Sequence, residues 1–213
     1  MQLVNEPQNN SALPNWYTKA LDALRAQAGD LPLYIHDAWS TSQYADLLEP
    51  RNDFTVLDHH LYRCFTQEDQ HKSGDEHASA IATQTINHFR EVSSKTRGNF
   101  VVAEWSAALN PSSYRSGEPG EQDRQRRVFA KAELDMFEEC CGGMWFWCYK
   151  KQDGWDAGWS LKDATRAEIM PSFYGQRRPQ APLQIDYGAR DNEKKKALGM
   201  SLSPNPSTFV PIM

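Results

Sequence analysis

Two glutamates stand where a carboxylate is costly unless it is paired or used. Glu6 follows the run Gln2-Leu3-Val4-Asn5, and Glu104 follows Phe100-Val-Val-Ala103, so each closes a strand-like stretch. On the same rim of a barrel of parallel strands, two such carboxylates could face each other across the axis. Retaining glycoside hydrolysis uses that arrangement. One carboxylic acid protonates the leaving oxygen and one carboxylate attacks the anomeric carbon, the two roughly 5–5.5 Å apart. Position alone is equally consistent with two capping or salt-bridged glutamates.

Other groups offer less chemistry. His59 and His60 could form a metal pair, but neighbours on a strand point to opposite faces and no third ligand is evident, so no metal is expected. His36 and Asp37 end a strand and are expected to line a cleft without taking a step in a reaction. Cys64, Cys140, Cys141 and Cys148 contain no CxxC pair and do not suit a disulfide framework in a chain this long; they read as buried free thiols.

The elements that must carry these residues alternate between strand and helix. Trp16, Tyr17, Ala20, Leu21 and Leu24 recur at helical spacing behind Asn15, a candidate N-cap, and Gly29 closes that helix. Leu31–His36 reads as a second strand, Tyr44–Leu48 as a short helix, and Phe54–Asp58 as a third strand ending in His59-His60-Leu61-Tyr62. Ala78, Ile81, Ala82, Thr85, Ile86, Phe89 and Val92 mark one face of a longer helix. Phe100–Ala103 is the fourth strand. A helix bearing Phe129, Ala132, Met136, Phe137 and Cys140 leads to a fifth, Met144–Tyr149, and Leu161–Met170 is the last helix. Strands apolar along their length, separated by helices, indicate parallel βα units. No Gly-rich phosphate loop follows the first strand. Polar residues collect at strand ends, as in a (β/α)8 TIM barrel. Residues 1–175 are expected to form part of such a barrel, and residues 176–213, rich in Pro, Lys, Asn and Ser, a disordered tail.

A net charge of −5 argues against nucleic acid or an anionic membrane as partner. No stretch approaches the roughly eighteen consecutive apolar residues of a membrane span, and residues 1–30 hold no signal-peptide core.

Asn5-Glu6-Pro7 at one strand end and Glu104 at another resemble glycoside hydrolase family 5. The ordered motifs LYIHDAW, VLDHHLYRCF, VVAEWSAALNP and GGMWFWCYK are similar to the fungal exo-β-1,3-glucanase branch over about residues 1–160. The resemblance implies an α/β fold comprising strands 4 to 8 of the barrel with their helices, the first three βα units missing. It implies a retaining glycoside hydrolase, without cofactor, that releases glucose from the ends of β-1,3-glucan oligosaccharides or polysaccharides. Glu6 would be the acid/base and Glu104 the nucleophile. Asn5 would bind the sugar 2-hydroxyl. His60 and Tyr62 would hold the catalytic centre, Tyr62 lying near Glu104. Trp147 would floor the subsite of the cleaved sugar and Phe65 would help clamp the next one; ordinary loop packing is an equal reading of Phe65. One of Trp145 and Trp147 is expected in the core and the other against ligand. Trp105-Ser106 would buttress the nucleophile.

Departures from the pattern are also present. Tyr149 stands where the branch usually has a second Trp, and the loop 110–122 is short and lacks the branch's cysteines. An Arg and a His contributed by the first three strands have no counterpart. The chain alone is therefore expected to be poorly stable and weakly active or inactive, with a missing N-terminal barrel segment as its partner. A non-catalytic or vestigial glucan-binding protein and an endo-acting β-glucanase or mannanase are the rival readings. The branch implies the cell exterior or wall, while the unpaired cysteines also fit the cytoplasm.

Overall fold

The computed structural model describes residues 1–114 and 118–170 of the chain; the expected disordered tail lies outside the described residues. Four strands form one parallel sheet in sequence order: β1 (Leu33–His36), β2 (Thr55–Leu61), β3 (Phe100–Trp105) and β4 (Gly143–Phe146). The sheet is consistent with part of a TIM-barrel-like fold.

The expected first strand at Gln2 is reduced to a single parallel bridge with Tyr34. The Leu3 amide donates to the Tyr34 carbonyl at 3.0 Å and the Tyr34 amide to the Met1 carbonyl at 2.8 Å. Beyond that point Glu6 takes φ +41° and Pro7 has no amide to donate, so the ladder stops.

The connecting helices are α1 (Leu13–Ala28), α2 (Thr41–Leu48), α3 (Gln67–Gln70), α4 (Gly74–Ala80), α5 (Ile86–Lys95), α6 (Pro119–Cys140) and α7 (Leu161–Arg166). Helix α1 starts earlier than Asn15 suggested. Pro14 occupies its first turn, where a missing amide costs nothing, and the Asn10 side chain accepts from the amides of Ala12 and Leu13 at 2.9 and 3.1 Å. Leu13, Tyr17 and Leu21 form its buried stripe, whereas Trp16 is exposed.

The long helix expected between 78 and 92 is interrupted by a π-helical turn, Ile81–Thr85. The wider turn shifts the inward face, so Ile81, Phe89 and Val92 are buried while Ala82 is exposed. Helix α4 opens with a capping box between Ser73 and Glu76.

Residues Thr55 to His60 are all buried, as expected where both faces of a strand are covered. Tyr17, Tyr44, Phe100, Trp105, Phe129 and Phe137 are the largest side chains fully buried in the core. No helix among the described residues is long and apolar enough to cross a membrane.

Two boundaries differ from the sequence reading in ways that shape the site. Strand β2 runs on through His59, His60 and Leu61. Strand β4 ends at Phe146 instead of Tyr149: Trp147 still donates to the Trp105 carbonyl at 2.7 Å, after which Cys148 pairs with Trp159 at 2.8 Å. The Trp147–Cys148 peptide is cis. Helix α7 stops at Arg166, short of Met170.

Candidate active site

Alternation along β2 separates the two adjacent histidines. His59 turns toward Phe89 and Phe100, and its Nδ1 lies 2.7 Å from Asp37 Oδ2. Asp37 is fully buried. It accepts from Thr41 Oγ1 at 2.6 Å and from the Trp39 amide at 2.9 Å. Burial opposes its ionisation, but His59 and these donors outweigh burial and hold the carboxyl below the usual carboxylate range. His36 is also fully buried, and its Nδ1 accepts from the Ala38 amide at 2.9 Å. The expectation that His36 and Asp37 line the cleft is therefore corrected: both are structural groups behind it.

His60 points the other way. Its Nδ1 lies 2.7 Å from Glu6 Oε1 and 3.4 Å from Glu104 Oε2, and its Nε2 lies 3.7 Å from Asp58 Oδ2. Burial alone would lower its pKa. The neighbouring Asp58 and Glu6, with the charge of Glu104, reverse that and raise it to about 9, so the ring is an imidazolium at neutral pH. Tyr62, two residues on and on the same side of the chain, donates its hydroxyl to Glu104 Oε2 at 2.6 Å. Burial and this carboxylate push the phenol well above its ordinary range. The two glutamates thus meet at one imidazole ring, Glu6 from the segment bridged to β1 and Glu104 from β3, with Glu104 Oε2 held by two groups of β2 and its exit.

A cleft of 590 Å³ opens over these groups, lined among others by Asn5, Asp58, His60, Glu104 and Trp147. Trp145 and Tyr149 share the lining. Trp145 and Trp147 are 52% and 53% exposed, so neither is the core residue expected of one of them. They stand two residues apart along β4 and its extension, so they share one face, the open one. Phe65 is 68% exposed and forms a three-ring group with Tyr62 and Trp159, whose centroids lie 5.9 Å from its own. Trp105 is fully buried between Phe137 and Phe146, directly behind Glu104.

The structure thus gathers Asn5, Glu6, His60, Tyr62, Glu104 and Trp147 in one place and sets Phe65 at its side. Sequence reasoning missed Asp58 and Trp159. The signal for Asp58 was present: it precedes His60 by two residues on one strand and so shares its face.

Glu6, His36 and His60 offer ligand atoms within 4.8 Å of one another. Their chemistry does not suit a cation. The Ala38 amide occupies the Nδ1 lone pair of His36, which puts the ring proton on Nε2, and both nitrogens of His60 already face carboxylates, Nδ1 toward Glu6 and Nε2 toward Asp58. Cys64, Cys140, Cys141 and Cys148 are all free, but only Cys64 and Cys140 are buried. Cys141 and Cys148 are partly exposed, against the expectation of four buried thiols.

The fold by itself is similar to the crystal structure of AoRut, with a TM-score of 0.55 at 16% identity over 79% of this chain and 49% of that one. No family model matches the chain. Curated relatives do. Glucan 1,3-beta-glucosidase 3 of Schizosaccharomyces pombe is 28% identical over 80% of this chain and 35% of its own length. Glucan 1,3-beta-glucosidases of Lachancea kluyveri and Yarrowia lipolytica are 29% and 26% identical over 80% and 88% of this chain. The resemblance to glucan 1,3-beta-glucosidases drawn from the motifs is borne out by these matches. The chain spans about a third to a half of the length of these relatives.

Proposed function

We propose that this chain carries the catalytic half of a retaining glycoside hydrolase that releases glucose from the ends of β-1,3-glucan. Its bridged segment and four strands correspond to strands 4 to 8 of a (β/α)8 barrel, within a barrel part of residues 1–175. The observation that carries the reading is the placement of two carboxylates on a single ring nitrogen, at 2.7 and 3.4 Å from His60 Nδ1. The nearest oxygens of Glu6 and Glu104 are therefore no farther apart than these two contacts combined. That closeness supports two carboxylates acting on one glycosidic bond, and the retaining assignment follows the resemblance to the exo-glucanase branch.

In this reading Glu104 attacks the anomeric carbon while Glu6 delivers a proton to the leaving oxygen; water, deprotonated by Glu6, then releases the sugar. Tyr62 fixes the nucleophile's Oε2 and leaves the other oxygen to react. Asn5 receives the sugar 2-hydroxyl, a contact that strengthens as the ring flattens. Trp147 offers an exposed aromatic face as floor, and Phe65 clamps the next sugar with Trp159 behind it. A segment supplying the first three βα units would cover the cleft, and an extracellular or wall location follows the activity.

The test is glucose release from laminarin and from an aryl β-glucoside, with the anomer of the first product read by NMR. The proposal expects β-glucose, and Glu104→Gln should abolish release while leaving glucan binding intact. Binding with no hydrolysis by the parent chain, even when completed by a preceding barrel segment, would instead support the glucan-binding reading.

A further inference from the structure

The pairing of β2 with β3 slips at the site. His59 pairs with Val102, but His60 pairs with Glu104, so Ala103 is an extra residue in β3. Bulges of this kind bend a strand and re-aim a side chain, and they leave a backbone group to be satisfied. The Ala103 amide donates to Oδ1 of Asp58 at 3.2 Å. Asp58 Oδ2 accepts from the Gln2 side chain at 3.0 Å, on the segment leading to Glu6, and faces His60 Nε2 at 3.7 Å. One carboxylate therefore touches every strand or segment that delivers a reacting group.

We propose that Asp58 is a positioning residue of the site: it anchors the bulge that aims Glu104, and it is the standing counter-charge of the His60 imidazolium that bridges Glu104 to Glu6. The groups facing that ring are Asp58 on its own strand, Glu6 from the segment before α1, Glu104 from β3, and His36 from β1, whose ring lies 4.4 Å away and edge-on. Among the three carboxylates Asp58 is set apart by burial. Its side chain is 2% exposed, against 18% for Glu104 and 37% for Glu6, so water screens its charge least. It is also set apart by chemistry. In double displacement the charge of Glu104 disappears into the glycosyl-enzyme bond and Glu6 alternates between acid and base. No step consumes the charge of Asp58. It keeps His60 cationic, and therefore a donor from Nδ1, through both halves of the cycle.

The inference rests on the proposed reaction only for its kinetic consequence, and the test separates the two. The imidazole of His60 is titrated by ¹⁵N NMR, its signal assigned with His60→Gln. Asp58→Asn keeps an acceptor for the Ala103 amide and removes the charge; it should lower the midpoint from about 9 by about one pH unit or more. The double variant Glu6→Gln/Glu104→Gln, which leaves Asp58 untouched and decides the matter should Asp58→Asn fail to fold, should keep His60 titrating above its ordinary value. An unmoved midpoint in Asp58→Asn, or a fall to the ordinary value in the double variant, overturns the proposal. On an aryl β-glucoside, Asp58→Asn should lower kcat with KM nearly unchanged and move the alkaline limb of the pH profile downward. Asp58→Ala should lose more. The expected NMR shifts in a chain that cleaves no glycoside would defeat the proposed function and leave the role of Asp58 standing. Hydrolysis by the parent chain with no NMR shift would do the reverse.

Discussion

At the scale of the residue, the site is a set of charges that hold one another. Tyr62→Phe deletes a single hydroxyl donated to a carboxylate, a bond worth about 1.5–3 kcal/mol. Loss of that bond from the reactive arrangement should lower kcat/KM roughly 10- to 100-fold on an aryl glucoside. His60 makes a second prediction, in stability. Its folded pKa lies above the unfolded value, so its ion pairs stabilise the fold fully below the ordinary histidine pKa of about 6.5 and are lost as pH rises through about 9. Urea midpoints of the parent chain should decline across that window, and His60→Gln should flatten the decline. Much of this site was legible in the sequence, because a strand end, a two-residue period and a paired carboxylate all leave marks there. Asp58 and Trp159 escaped for different reasons. Asp58 was read as the tail of a strand that in fact continues. Trp159 reaches the site through a loop that folds back after β4, and no local pattern reports such a return.

At the scale of the element, packing decides where the residues end up. Helix α4 lies so close to α6 that a Cβ on Gly74 would stand 2.5 Å from the Gln125 carbonyl oxygen and 2.8 Å from its Cβ. Gly74→Ala should therefore destabilise by about 1–3 kcal/mol through displacement of the two helices, measurable by urea denaturation. Deeper between these helices and β2, Glu133 of α6 is buried and bound by Arg63 at 2.7 Å, while Thr85 of the π turn accepts from the same guanidinium at 3.1 Å. Burial pushes the Glu133 carboxyl upward in pKa, and Arg63 opposes that. Arg63→Met leaves the carboxylate buried without its partner and should cost about 3–5 kcal/mol, read from the same denaturation curves. The strand–helix alternation was visible in apolar periodicity. The π turn was not: it inserts one residue into a helical pattern without changing the residue types, so Ala82 looked inward and faces solvent. The early stop of β4 was hidden likewise, since Trp147, Cys148 and Tyr149 continue an apolar run after the ladder has ended.

At the scale of the whole molecule, the described sheet leaves the outer edge of β4 beside exposed Trp145, Trp147 and Tyr149. Open edges and large exposed aromatics are features that folded proteins cover. Coexpression with the first three βα units of a relative should sharpen the thermal transition and raise glucose release from laminarin; equal melts and equal activity with and without that segment would count against the proposed barrel. The order of the strands was legible because each βα unit repeats the same grammar. Their number was not, because pairing between strands far apart in sequence leaves no local mark: the segment at Gln2 reads as a strand and forms a single bridge. The central claim, however, concerns two carboxylates, and one measurement reaches it most directly. A 2-deoxy-2-fluoro-β-glucosyl donor with a good leaving group should trap the covalent intermediate of a retaining enzyme. Mass spectrometry should then find one added fluoroglucosyl group on the peptide containing Glu104, and none in Glu104→Gln. An adduct on any other residue, or glucoside turnover with no adduct, would contradict the account.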